Sequence, residues 1–246
     1  MTPLALNALE VAARLAGAAG RITTEHVREA LQTRSPRYDK GGEAHYDIIS
    51  AFIKSVRDSD PDAAVYWLAR MLSGGEDPLF IARRLIILAS EDVGMADSRG
   101  LQVAVAAQQA AHFVGMPEAM YPLTHATLYL ATAPKSNSAG SAYTAALRDV
   151  ERTLAEAPPL HLRNAPTGLM KRLGYGEGYK YAHDHVETVR QPGESPDRPP
   201  VARLQQNLPE TLRGAAYYEP RPAGAEEPIR RWLEARRARD HTAEER

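Results

Sequence analysis

The chain has 246 residues, of which 43% are hydrophobic and 25% charged, and it carries a net charge of −1. That balance suits a globular protein with a sizeable core, and it excludes a surface that attracts nucleic acid from every side. The absence of cysteine excludes disulfides, thiolate metal sites and cysteine nucleophiles together, and suits a reducing compartment. No stretch approaches the ~20 apolar residues of a membrane span. Met1-Thr2-Pro3 lacks the basic start of a signal peptide, so the expected location is cytoplasmic.

Residues 3–19 read as a helix with Leu6, Leu9, Ala13 and Leu15 to Ala16 on one face. Thr23 or Thr24 is placed to cap a short helix through Leu31. The polar run Arg34 to Gly42 is a breaker and the first candidate boundary. Asp47 is then expected to open a helix carrying Ile48, Ile49, Phe52, Ile53 and Val56.

From Ser59 to Gly94 two helix signatures follow one another. Asp60 caps the first and Pro61 occupies its first position, where a missing N–H costs nothing. Ala64, Trp67, Leu68, Met71 and Leu72 fall at helical spacing until Gly74-Gly75. Asp77-Pro78 repeats the start, with Phe80, Ile81, Leu85 and Leu88 as the second stripe. The short loop between them predicts an antiparallel hairpin.

Asp97 is placed to cap an alanine-rich helix ending at Gly115. Pro117 starts another, with Met120, Leu123, Thr127, Leu128 and Ala131 as the inward stripe. A further helix is expected over 138–157 with Tyr143, Leu147, Val150 and Leu154 in line. No apolar run alternates with period two between turn signals, so the predicted fold class is all-α. Beyond Leu160 there is one short helix, 167–173, and then glycines alternating with tyrosines. Residues 190–200 are proline-rich and poor in hydrophobics, which reads as a linker. The end forms an amphipathic helix with Ile229, Trp232 and Leu233 on one side.

Catalytic signatures are missing. There is no GxxxxGK[ST] loop to cradle phosphates and no GxSxG elbow. Glu91-Asp92 imitates an acidic metal-binding strand end, but the apolar residues before it keep helical period, so it reads as a solvated helix end. His183-Asp184-His185 lacks further ligands at supporting spacing. A small metal-dependent hydrolase using His183 and Asp184 is therefore the most distant reading. His125 lies near the apolar stripe of its helix and reads as a hydrogen-bonded core or interface residue.

Two patches stand out as surface contacts. In Ala133-Pro134-Lys135-Ser136-Asn137, Ser136 or Asn137 serves as a helix cap, which leaves Lys135 unexplained. In residues 161–180, Arg163, Asn164, Lys171, Arg172 and Lys180 accompany Tyr175, Tyr179 and Tyr181. Basic residues interleaved with aromatics and glycines suit a nucleic-acid or protein contact. A packed loop with its tyrosine hydroxyls satisfied internally is the competing reading.

The 59–97 stretch, the turn APKSN and HLRNAPTGLMKRLGYGEGYKYAHD together resemble the C-terminal region of the replication-associated recombination protein A family. These are bacterial AAA+ ATPases, also called MgsA, with a eukaryotic Werner-helicase-interacting relative. ALNALE near the start resembles the last helix of the AAA+ lid. The resemblance implies a clamp-loader-collar-like oligomerisation domain that forms tetramers and works at stalled replication forks. DNA junctions or ends and single-stranded DNA-binding protein are the implied partners. It divides the chain into a lid remnant at 1–40, a helical domain at 41–187 and a linker and tail at 188–246. ATP and magnesium would belong to an AAA+ core whose Walker motifs precede Met1, so the chain alone is expected to hold no cofactor and to be no enzyme. It is then a fragment of such an ATPase or a motorless paralogue acting as a DNA-binding module.

Overall fold

A computed structural model describes residues 3–17, 20–34, 43–153, 156–184 and 205–244. Every regular element among them is helical, as expected. The breaker at 35–42, the linker at 190–200, Leu154 and His185 lie outside the described residues. The chain divides into two compact units. One comprises Met1–Ile86 with Val103–Thr132, and the other Ile87–Gln102 with Ala133–Arg246.

In the first unit, α1 (Pro3–Ala16) packs on α2 (Thr24–Arg34). Thr23 Oγ1 accepts from the His26 N–H at 3.3 Å, the cap expected there. Among the side chains described there, Ala12 and Ala30 are buried, whereas Leu9, Ala13 and Leu15 of the expected stripe are exposed; the side chain of Leu6 lies outside those described.

Helix α3 (Glu43–Arg57) starts a turn before Asp47, yet buries Ile48, Ile49, Phe52 and Val56 as its period predicts. Taking Phe52 wholly out of water is worth about 2–3 kcal/mol. Helix α4 (Pro61–Ser73) has the predicted ends: Asp60 Oδ1 accepts from the Ala63 N–H at 2.9 Å, and Gly74 closes the last turn. Gly75, at φ 82°, turns the chain into the Asp77 cap of α5 (Pro78–Leu88). Helix α4 buries Ala64, Leu68 and Met71 and packs on α3 and α7 (Met120–Thr132). On α7 the buried face is Leu123, Ala126, Thr127, Leu130 and Ala131, while Met120, His125 and Leu128 are exposed.

The second unit begins within α5. The chain there widens into a π-helical turn, Ala89–Val93, followed by a 3-10 turn, Gly94–Ala96. Asp97 Oδ1 then caps α6 (Arg99–Val114), whose residues from Val103 onward belong to the first unit and which ends at Gly115 with φ 70°. Helix α8 (Ser138–Arg152) is shorter than predicted, and its Tyr143, Leu147 and Val150 are exposed rather than inward. Past the buried Ser138, its less exposed side is Ala142, Ala145, Ala146 and Asp149. Asp149 accepts from the Tyr217 hydroxyl at 3.0 Å and from Arg152 Nη2 at 3.0 Å. The short helix α9 (Gly168–Arg172) and the amphipathic α10 (Glu226–Glu244) complete the unit.

The tail is not loosely attached where it is described. Gln205 Oε1 accepts from the Lys180 N–H, Tyr217 reaches Asp149, and the Ala225 N–H donates to the Ala96 carbonyl at 2.8 Å. Pairing of this kind, across 25, 68 and 129 positions, has no local sequence signal.

Candidate nucleic-acid interface

Residues 160–184 form a loop built on glycine. Thr167 caps α9 by accepting from the Met170 N–H at 3.3 Å. Gly174, Gly176 and Gly178 then adopt φ of 79°, 77° and 75° in turn. Only glycine takes this left-handed conformation at every second position without strain. Between these glycines Tyr175 is half-buried and Glu177 exposed, and Tyr179, just beyond them, is exposed.

Arg163 pins this loop. Its Nε donates to the Pro158 carbonyl at 2.6 Å, Nη1 donates to the Tyr175 hydroxyl at 3.3 Å, and its guanidinium lies over the Tyr175 ring. The Gly176 N–H donates back to the Leu160 carbonyl at 2.9 Å. Arg163 and Tyr175 are thus half-buried positioning residues. Asn164, Lys171, Arg172, Tyr179, Lys180 and Tyr181 are exposed. The His183 ring lies 5.1 Å from that of Tyr181. The loop therefore combines both sequence readings: one tyrosine is satisfied internally, and the outer cations and rings face solvent. Exposed cations can pair with phosphates, and exposed rings beside them can stack on bases.

The 133–137 turn is different. The Ser136 N–H donates to the Asp92 carbonyl at 2.7 Å. Its hydroxyl accepts from the Ser138 N–H at 3.2 Å and caps α8, a role the Asn137 side chain does not take. Ser136 is buried, so it presents no surface to a partner. Lys135 Nζ donates to the Ala133 carbonyl at 2.7 Å. Burial pushes its amine below the ordinary lysine value, with the Asp92 charge opposing. Asn137 is exposed and accepts from Arg221 Nη2 at 3.4 Å. The leftover lysine of the sequence is explained within its own turn. Asp92 is buried too, which corrects the reading of a solvated helix end for that residue, whereas Glu91 is exposed as expected. Among the described residues no cluster of His, Asp and Glu has the geometry to hold a metal.

Beside this turn sits a residue the sequence did not single out. Glu226 is fully buried, and its carboxylate accepts from the hydroxyls of Ser138 and Tyr218 and from the Arg221 N–H. Two glycines permit the approach. A Cβ on Gly94 would stand 2.6 Å from the Ser136 carbonyl oxygen, and one on Gly224 would stand 2.3 Å from that of Ala96. The available signal was Tyr218-Glu219-Pro220 and Glu226-Glu227-Pro228, helix-start chemistry in a segment that reads as tail.

The family matches place this helical chain in a class, the C-terminal part of AAA+ ATPases. Residues 4–57 match the family described as AAA C-terminal domain, and residues 58–237 match the one described as MgsA AAA+ ATPase C terminal. The chain belongs to the MgsA AAA+ ATPase C-terminal family. It is 48% identical over 95% of its length to an uncharacterised AAA domain-containing protein of Mycobacterium tuberculosis, covering 49% of that protein. It is 42% identical over 98% of its length to replication-associated recombination protein A of Haemophilus influenzae, covering 52% of that protein. Similarity extends to the ATPase WRNIP1 of Dictyostelium discoideum, at 42% identity over 80% of the chain and 21% of the relative. The chain spans about half the length of the bacterial relatives.

Proposed function

We propose that this chain is the oligomerisation and DNA-associating part of a replication-recombination AAA+ ATPase acting at stalled forks. The observation that carries this reading is the match of residues 58–237 to the MgsA C-terminal family, in relatives named for replication-associated recombination. The chain contains no phosphate-binding GxxxxGK[ST] loop. By itself it neither binds nor hydrolyses ATP; ATP and magnesium belong to an AAA+ core. It assembles as a homotetramer in the cytoplasm, with DNA junctions or ends and single-stranded DNA-binding protein as partners. No described helix is long and apolar enough to cross a membrane.

DNA is contacted by Lys171, Arg172 and Lys180, with Tyr179 beside them, on the glycine loop. One weak patch per subunit becomes useful through assembly, because several patches on one DNA raise avidity without any new contact. The test is fluorescence anisotropy with single-stranded and forked oligonucleotides. Binding should fall steeply between about 50 and 200 mM salt and weaken when Lys171 and Arg172 are both replaced by Ala. Binding that is unchanged in that double variant would overturn the assignment of the patch. Light scattering should show the tetramer, and ATP binding by the purified chain would contradict the absent nucleotide site.

A further inference from the structure

Beside its buried face, α4 carries Trp67 and Arg70, three positions apart and therefore neighbours on the helix surface. The Arg70 guanidinium lies over the Trp67 ring, 5.4 Å from its centroid. The Tyr66 ring meets the Trp67 ring edge-on at 5.0 Å and is 58% exposed. On the neighbouring α3, Asp47 is exposed and Ile48 is buried. Asp47, Ile48, Trp67 and Arg70 line one pocket of about 200 Å³, and all four belong to the first unit.

Two opposite charges line this pocket without meeting. Among the described residues neither Asp47 nor Arg70 makes an ion pair or a side-chain hydrogen bond. The guanidinium donors and both carboxylate oxygens are thus available to a ligand. A bare anion is disfavoured by Asp47 and a bare cation by Arg70. A flat ring that carries N–H donors and is tethered to a phosphate suits all four residues. Unpaired bases stack on guanidinium planes and aromatic rings, which Arg70 and Trp67 supply in one layer. Ile48 gives the apolar floor, Asp47 accepts from the ring's N–H groups, and the Arg70 fork matches a phosphate.

We propose that this pocket holds one unpaired base of single-stranded DNA and selects guanine. The N1–H and N2–H of guanine can both donate to the two oxygens of Asp47. Thymine offers a single N–H between two carbonyls that a carboxylate repels. Adenine and cytosine offer one amine beside a ring nitrogen that carries no proton. The proposal rests on the reading of the chain as DNA-associating and adds a contact in the first unit that reads a base. Asp62, exposed two turns before Arg70 on α4, keeps the surroundings from being cationic. The pocket therefore contributes selectivity, and salt-dependent attraction is left to the glycine loop.

Trp67 and Trp232 are the two tryptophans of the chain, so Trp232→Phe leaves Trp67 as the indole reporter. That variant is titrated with an oligothymidine of about 15 nucleotides and with the same strand carrying one central guanine. The guanine strand should bind at least about fivefold more tightly and quench Trp67. Anisotropy on the unaltered chain reads the same preference, so the result does not depend on how the Trp232 variant folds. Asp47→Asn should erase the preference without lowering affinity for oligothymidine, because its amide presents a donor to one of guanine's donors. A preference that survives Asp47→Asn overturns the pocket. Equal binding of both strands with unchanged Trp67 fluorescence also overturns it, and leaves DNA association standing. Failure of both strands to bind overturns both readings. Free dGMP at the same concentration should leave Trp67 unquenched; quenching by dGMP would assign the pocket to a free nucleotide and overturn the DNA assignment.

Discussion

The carboxylate of Glu226 accepts a hydrogen bond from the hydroxyl of Ser138, 88 positions earlier in the chain. The bond joins the first residue of α10 to the first residue of α8, and the Tyr218 hydroxyl completes it at 2.8 Å. The C-terminal segment is thereby locked to its unit by a buried, satisfied charge. Several expectations rest on this lock and on the loop that carries the cations.

Replacing Glu226 by Ala should destabilise the second unit by about 2–4 kcal/mol, because it leaves the buried Ser138 hydroxyl, the half-buried Tyr218 hydroxyl and the Arg221 N–H without their acceptor. Glu226→Gln should cost less. The serine and tyrosine hydroxyls can reverse their donation, but the Arg221 N–H still requires the amide oxygen. Urea unfolding followed by circular dichroism measures both. A loss below about 0.5 kcal/mol for Glu226→Ala would rule out the lock as a stabilising element.

Glu226 also predicts a pH dependence. Burial alone would raise its carboxyl, but bonds from Ser136, Ser138, Tyr218 and the Arg221 N–H outweigh that and hold it below the ordinary glutamate value. A carboxyl depressed in the folded state binds its proton more tightly once unfolded. Its contribution is complete above the unfolded value of ~4.3 and is lost as pH falls through the lower folded value. Stability measured from about pH 7 down to about pH 3 should fall more steeply in the parent chain than in Glu226→Gln. Parallel curves would remove Glu226 from the acid transition.

Gly94→Ala and Gly224→Ala should each cost more than about 1 kcal/mol. Both backbones lie at positive φ, and an added methyl group meets carbonyl oxygens that cannot withdraw. Gly140→Ala is the contrast: nothing lies within 4 Å of its Cβ, and it sits in α8. There alanine should stabilise by about 0.5–1 kcal/mol. Thermal melts of the three variants rank the effect.

Arg163 and the pair Lys171–Arg172 should separate position from contact. Arg163→Ala removes the bonds to Pro158 and Tyr175 and loosens the loop, so both DNA affinity and protease resistance of the loop should fall. Lys171→Ala with Arg172→Ala should lower affinity and the salt slope while leaving proteolysis unchanged, since both side chains are exposed. Equal proteolytic sensitivity in all variants would refute the positioning role of Arg163.

Local chemistry explains how much was legible in advance. Helix ends at Asp60, Gly74, Asp77, Asp97 and Gly115 follow from backbone groups that must be capped within a turn, so spacing alone revealed them. The buried set of α3 follows from period 3.6. The glycines of the glycine-tyrosine loop were visible in the sequence, but their positive φ was seen only in the structure. Partner choice is different. Which face α1 and α7 bury, that α4 packs on α3 and α7, and that Lys135 and Ser136 turn into their own unit depend on elements distant in sequence. The tail is the clearest case: a glutamate in a polar segment reads as solvated until the fold brings two serines, a tyrosine and a backbone N–H around it. Periodicity records that a residue is apolar or polar, whereas burial is decided by what tertiary packing sets against it. The sequence by itself determined an all-helical chain of this family with its caps and its cationic loop, and only the tertiary structure decided which charges that loop leaves outside.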